Sequence, residues 1–339
     1  MNKKTTAVLL IQLGTPDSPE TKDVRPYLSQ FLNDPRVIDI PWLLRKILVN
    51  LIIVPFRAPK SAKIYKELWD ERGSSLLYHT QDLTNLLQKE LEGKMDVYFA
   101  MRYKNPSMDS VLEKIRLKNY DKIIAVPLFP QYSSAANGSA MERFLQIVSK
   151  WHVIPEIALV SQFYDYPKFI DAVVERGREF NIDDYDFVMF SYHGLPERQV
   201  DKVYNDDISC KDHHCELEID DNNKFCYKAT CYETTRLIAE KLNIPEDKYV
   251  VSFQSRLDNK WLEPFSDKVI EEKAKAGAKK ALVFSPAFVA DCLETTIEIG
   301  EEYQEIFEEH GGEKVQLVPS LNISDAWVKA LKDIVLERA

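Results

Sequence analysis

Three groups of side chains in this 339-residue chain have the types and spacing to do chemistry. The first is His193, set in Ser191-Tyr192-His193-Gly194-Leu195-Pro196, where an apolar run gives way to a turn. Imidazole is the side chain whose ordinary pKa suits proton exchange near neutral pH. A hydrogen-bonded histidine closing a strand would look the same. The second group is acidic: Glu294, Glu298 and Glu302 recur at i, i+4 and i+8, so three carboxylates line one helix face, where like charges repel. An ordinary solvated face has that pattern. So does a row that passes a divalent cation or protons, and Glu294 directly follows a strand-end loop beginning at Ser285. The third group is Cys210, Cys215, Cys226 and Cys231, four of the five cysteines, spaced C-x4-C-x10-C-x4-C. Four thiols so close suggest one tetrahedral site for a [2Fe–2S] cluster or for zinc, and a metal-free cluster of thiols remains the alternative. His213 and His214 lie among them as substitute ligands. The surrounding insert, 205–231, is rich in acids (Asp206, Asp207, Asp212, Glu216, Glu218, Asp220, Asp221) and poor in large apolar residues, so a metal would be needed to organise it.

These residues have to be held by something. Short apolar runs ending in Gly, Pro or Ser turns recur at 8–13, 97–101, 123–128, 157–160, 187–191, 249–253 and 281–284. Between them, 80–91, 108–117, 141–150, 168–179, 231–242 and 264–276 have helical periodicity. The alternation predicts an α/β fold of parallel sheets with helices on both faces, in which ligands bind beyond the carboxyl ends of the strands. An internal repeat divides the chain. The run 7–16 aligns with 187–196, matching Gly14 to Gly194 and Pro16 to Pro196, and 98–102 and 123–130 echo 251–256 and 281–288 in the same order. Two similar doubly wound halves are expected, 1–160 and 161–339, with a small-molecule cleft between them.

Bulk properties exclude other classes. A net charge of −10 and a pI near 5.3 argue against nucleic acid as the main partner. The opening Met1-Asn2-Lys3-Lys4-Thr5-Thr6 leads straight into an apolar run too short to span a bilayer, so no signal peptide is expected and the reading is cytoplasmic. In that compartment a disulfide framework is not expected of the four cysteines. The stretch 40–56 is unusually apolar, but Arg45, Lys46 and Asn50 interrupt it. It reads either as a helix dipping into a membrane interface through Trp42 or as a lid or dimer contact.

Seven blocks in order carry a resemblance that covers nearly the whole chain. They are Leu10-Ile-Gln-Leu-Gly-Thr-Pro-Asp-Ser-Pro19, Phe31-Leu-Asn-Asp-Pro-Arg-Val37, Met101-Arg-Tyr103, Pro127-Leu-Phe-Pro-Gln-Tyr-Ser133, Ser191-Tyr-His-Gly-Leu-Pro196, Phe253-Gln-Ser-Arg256 and Asp291-Cys-Leu-Glu-Thr295. Together they resemble the ferrochelatases, some of which carry a [2Fe–2S] cluster. The resemblance implies a chelatase-like pair of Rossmann-like halves and insertion of Fe(II) into a porphyrin to give haem, with release of two pyrrole protons. It places His193 and Glu294 on either side of the macrocycle, as proton acceptor and innermost carboxylate and as contacts of the substrate iron, with Glu298 and Glu302 behind on a metal or proton path. It makes Leu13, Arg57, Lys60, Tyr65, Ser74, Arg102, Tyr103 and Phe288 candidate porphyrin contacts. The opening block resembles protoporphyrin-using enzymes of Gram-negative type, which favours protoporphyrin IX over coproporphyrin III. A cobalt or nickel tetrapyrrole chelatase and a non-catalytic porphyrin carrier are the competing functions. The chain departs from the family at Ser75, where many relatives have Pro, and at Cys292, where His or Asn is frequent. Oligomeric state is left open.

Overall fold

The computed structural model describes residues 5–206 and 208–339; Asp207 of the acidic insert and the opening residues 1–4 lie outside it. Eight strands form two four-stranded sheets, every pairing parallel. In chain order they are β1 (Thr6–Gly14), β2 (Met95–Tyr103), β3 (Lys122–Pro127), β4 (Glu156–Leu159), β5 (Phe187–His193), β6 (Tyr249–Gln254), β7 (Lys280–Phe284) and β8 (Lys314–Leu317). The first sheet runs β2-β1-β3-β4 and the second β6-β5-β7-β8, so the two have the same order. The α/β class and the two similar halves expected from the repeat are both present.

The reason lies in the residues. β1, β3, β5 and β7 are buried along nearly their whole length, as strands covered on both faces by helices must be. Their Val, Ile, Leu and Phe side chains suit a pleated surface packed on both sides. In the first sheet, Leu9, Ile11, Ile123 and Ala125 pack with Val111, Leu112 and Phe144 of flanking helices. In the second, Phe187, Met189, Ala281 and Val283 pack with Ile270, Ile299 and Phe307.

The chain falls into two compact units. One comprises the chain up to Phe129 with Ser134–Gln162 and Val328–Ala339; the other comprises Pro130–Ser133 and Phe163–Trp327.

Two helical regions differ from simple expectation. The apolar stretch is helix Trp42–Ile47, a π-helical stretch Leu48–Ile53 and helix Val54–Leu68, and no helix among the described residues is long and apolar enough to cross a membrane. The segment carrying the three glutamates is also a π-helix, Glu294–Glu302, continuing as α-helix Tyr303–Glu309. Single π segments of this kind occur frequently at functional sites, because they re-aim side chains that an α ladder would hold elsewhere.

Candidate active site

β5 ends at His193, and Gly194 makes the turn that follows. A Cβ at position 194 would sit 2.7 Å from the carbonyl oxygen of Gln254 and 3.3 Å from the Trp261 ring, so only glycine lets the chain turn there. The His193 ring is held on several sides. Its Nδ1 lies 2.7 Å from the Gly194 carbonyl oxygen. A carbonyl can only accept, so Nδ1 carries a proton, and in the neutral ring Nε2 is the basic nitrogen. Trp261 and Phe288 flank the ring, with centroids at 6.5 and 6.4 Å. The buried Tyr227 hydroxyl donates to the His193 carbonyl at 2.9 Å, which fixes the backbone at the strand end.

Glu294 opens the π-helix after the loop from Ser285. The buried Cys292 thiol lies beside the Glu294 side chain, and burial together with that carboxylate pushes the thiol well above its ordinary range. Cys292 is therefore a neutral thiol, neither a base nor a cation. Glu298 lies among hydrogen-bond donors. Its carboxylate accepts from Ser255 N at 2.8 Å, Ser255 Oγ at 2.5 Å, Gln254 Nε2 at 3.1 Å and the Tyr303 hydroxyl at 3.2 Å. Glu302 stands at the exposed far end, where partial burial and the neighbouring Glu298, Glu305 and Glu301 carboxylates raise its pKa. The three glutamates thus have three different surroundings.

In the first unit, Arg102 and Tyr103 at the end of β2 turn onto Asp34. Arg102 Nη2 pairs with Asp34 Oδ2 at 2.5 Å, and its Nε donates to Ser139 Oγ at 2.7 Å. The Tyr103 and Ser139 hydroxyls donate to the same Asp34 oxygen at 3.0 and 2.6 Å. Burial, reinforced by the Asp34 charge, keeps Tyr103 protonated. Two of the Arg102 nitrogens and the Tyr103 hydroxyl are thereby engaged inside the protein. Arg57 and Lys60 stand exposed on helix Val54–Leu68 without an ion-pair partner among the described residues. Tyr65 of that helix packs edge-on against Tyr27. Ser74 is buried and caps the start of helix Ser75–Glu90 with its backbone carbonyl; Leu13 is half-buried on β1.

Cys210, Cys215, Cys226 and Cys231 are all buried free thiols. Cys215 and Cys226 have their sulfurs 3.9 Å apart. A tetrahedral site with metal–sulfur bonds of about 2.3 Å needs edges of roughly 3.8 Å, so this pair fits one edge. Hydrogen bonding to Cys210 is the main cause that pushes Cys215 up to about 11, and Cys215 with burial pushes Cys226 higher. Among the described residues no three His, Cys, Asp or Glu side chains are gathered as a finished cation site. The donor chemistry fits a soft metal; the assembled geometry is not present. His213 instead stacks on Tyr204, with ring centroids 3.7 Å apart.

Sequence reasoning passed over Gln254, Ser255, Trp261 and Asp34 as individual residues. Gln254 and Asp34 lay inside two of the quoted blocks without a role. Trp261 had only its place just beyond a strand end as a signal.

The ferrochelatase family profile matches residues 5–339. A ferrochelatase from Legionella pneumophila (strain Lens) is 42% identical over 332 residues, covering 98% of this chain and 98% of its own length. One from Coxiella burnetii (strain Dugway 5J108-111) is 42% identical over 333 residues, covering 97% and 93%. The solved structure of SirB from Bacillus subtilis with Fe3+ matches with a TM-score of 0.56 at 13% identity, covering 99% of this chain and 96% of that one; at such identity the likeness concerns the fold alone. With the match extending over nearly its full length, this chain belongs to the ferrochelatase family.

Proposed function

We propose that the chain inserts Fe(II) into protoporphyrin IX, with His193 as proton acceptor and Glu294 as the carboxylate nearest the metal. Family membership makes it a metal chelatase that loads iron into a porphyrin for haem synthesis. The choice of porphyrin and the residue roles are the proposal. The observation that carries it is the orientation of His193: Nδ1 donates to the Gly194 carbonyl, which leaves Nε2 as the basic position of the neutral ring, and two aromatic rings flank the imidazole. Free-base porphyrin has two pyrrole N–H protons, and both leave as Fe(II) forms its bonds to the four nitrogens. A fixed Nε2 accepts one pyrrole proton, passes it to solvent and then accepts the second, so both protons are taken up as the Fe–N bonds form. The flanking rings suit a flat apolar macrocycle. Arg57, Lys60, Tyr65 and Ser74 are the proposed polar contacts for the propionates, with Leu13 and Phe288 as apolar ones. Arg102 has Nη1 to offer, and Tyr103 shapes the surroundings of Arg102.

Anaerobic incubation with Fe(II) and either protoporphyrin IX or coproporphyrin III, followed by the Soret and Q bands, tests this reading. Faster metallation of protoporphyrin is expected. Exclusive use of coproporphyrin would reverse the substrate assignment, and binding without metallation would leave a carrier.

Two accessory readings accompany it. The four thiols are proposed to hold a [2Fe–2S] cluster, which would supply no step of metal insertion and would organise the acidic insert. Protein purified anaerobically should then be reddish-brown; a colourless protein with one equivalent of zinc would assign the site to zinc. The exposed apolar face of the 42–56 helices (Trp42, Leu43, Leu51, Ile52, Phe56) is proposed to rest on a lipid interface. Vesicle flotation should be lost in Trp42→Ser/Leu43→Ser; unchanged flotation leaves the lid role.

A further inference from the structure

Gln254 is the residue that joins the two ends of the proposed chemistry. It closes β6 in register with His193, and its backbone carbonyl accepts the Gly194 N–H at 2.8 Å. Its side chain, 2% exposed as a residue, reaches the other way. Nε2 donates to the backbone carbonyl of Glu294 at 2.9 Å and to Glu298 Oε2 at 3.1 Å, while Oε1 accepts from Ser191 Oγ at 2.7 Å. The amide can lie only one way round. A carbonyl and a carboxylate both accept, so the NH2 group must face them and the oxygen must face the hydroxyl.

Glu298 holds this arrangement from the far side. Besides Gln254 it takes two bonds from Ser255 and one from Tyr303, so four donors already occupy the carboxylate. It has little acceptor capacity left to hand to a passing ion. Ser255 sits at φ +61, a left-handed conformation that persists in a non-glycine residue only where its surroundings dictate it. Here the surroundings are the two bonds to Glu298.

We propose that Gln254 is a positioning residue for iron insertion, fixing the first turn of the Glu294–Glu302 π-helix against the end of the His193 strand, and that Glu298 is the acceptor that orients its amide. This deepens the proposed function and rests on it. Misplacement of a reacting group by about 1 Å can cost on the order of 10²-fold in rate, which sets the size of the effect to look for.

The test measures anaerobic metallation kinetics of Gln254→Met, Glu298→Gln and the double variant, with Thr235→Val as control. Gln254→Met keeps the volume and removes the bonds; kcat should fall roughly 10- to 100-fold with the porphyrin KM within about threefold. Glu298→Gln turns one acceptor oxygen into a donor beside the Gln254 amide or Ser255, and should lose kcat to a similar degree. Because the two residues act as one unit, the double variant should be no slower than the worse single by more than about twofold. Thr235→Val removes the buried 2.8 Å bond to the Tyr192 hydroxyl without touching Gln254, Glu298 or His193; it should lower Tm and leave kcat unchanged. A Gln254→Met enzyme within twofold of wild-type kcat overturns the proposal. So does a double variant whose losses multiply, or a Thr235→Val enzyme that loses kcat as much as it loses Tm. If Gln254→Met does not fold, Glu298→Gln decides alone by the same twofold criterion. A wild-type protein that inserts no iron into any porphyrin would instead defeat the functional reading itself.

Discussion

The ends of the leading strands in the two halves use one backbone device for different ends. Gly14 and Gly194, matched by the repeat, each lie against a carbonyl of the neighbouring strand: a Cβ would come 2.0 Å from the Tyr103 oxygen in one and 2.7 Å from the Gln254 oxygen in the other. Beyond the glycines the halves diverge. In the first, Arg102, Tyr103 and Ser139 converge on the Asp34 carboxylate and satisfy one another. In the second, Gln254 and Ser255 occupy Glu298, and the Gly194 carbonyl holds Nδ1 of His193. A duplicated scaffold therefore does not duplicate a site.

The comparison breaks first at His193. His193→Ala should reduce metallation by about 10²–10⁴-fold with porphyrin binding retained, because a positioned base is lost while the aromatic walls remain. Stopped-flow metallation with a parallel fluorescence titration of porphyrin would measure both. A variant keeping more than a tenth of the wild-type rate would refute the base assignment.

Asp34→Ala should show the opposite signature. Asp34 is buried, and the side chain of its partner Arg102 is 16% exposed, so removing the carboxylate leaves a largely buried cation uncompensated. A loss of roughly 3 kcal/mol is expected in urea unfolding, with kcat lowered far less than by His193→Ala. Equal loss of rate in both variants would show that the network of the first half takes a direct part in the reaction.

The cysteines sharpen the same contrast between assembled and isolated groups. Cys215→Ser should bleach the reddish-brown colour and lower the yield of soluble protein, since its sulfur lies 3.9 Å from that of Cys226. Cys292→Ser, beside Glu294 and away from the insert, should keep the colour, as read by visible absorption. A Cys292→Ser protein that bleaches would reverse the ligand assignment.

The smallest effect belongs to Glu302. Burial and its acidic neighbours raise its folded-state pKa above the unfolded value, so the native state binds the proton more tightly. The charged form is then a cost at neutral pH, and that cost fades as pH falls through the raised pKa toward the unfolded value. Glu302→Gln should stabilise by a few tenths of a kcal/mol at pH 7, the exposed position being screened, and the gain should vanish near pH 4. Thermal unfolding across pH reads the difference. A loss of stability at pH 7 would contradict the sign.

Much of this was legible in the residues. The places of His193 at the end of β5 and of Glu294 after the loop that follows β7 were legible, because a fully buried parallel strand shows as an unbroken apolar run and its end is easy to locate. Strand β8 was missed because Lys314–Leu317 is a four-residue run with no more than two apolar side chains. The π-helix at Glu294–Glu302 was missed because its i, i+4, i+8 spacing is the one an α-helix also uses. The hydrogen-bond partners of Glu298 were not legible for a related reason: spacing shows which residues share a face, but not which donors meet them.

What the sequence by itself determined is the alternation of apolar runs, the doubled strand order and the chemistry-bearing types at the strand ends. All of these depend on periodicity and on local backbone preference, which are written within a few residues of one another. Only the tertiary structure decided which donors meet which carboxylate. Asp34 meets Arg102 across 68 residues, Gln254 meets Glu298 across 44, and Tyr227 meets the His193 carbonyl across 34. Hydrogen bonds over such separations depend on how two sheets pack their helices, and no local pattern encodes them.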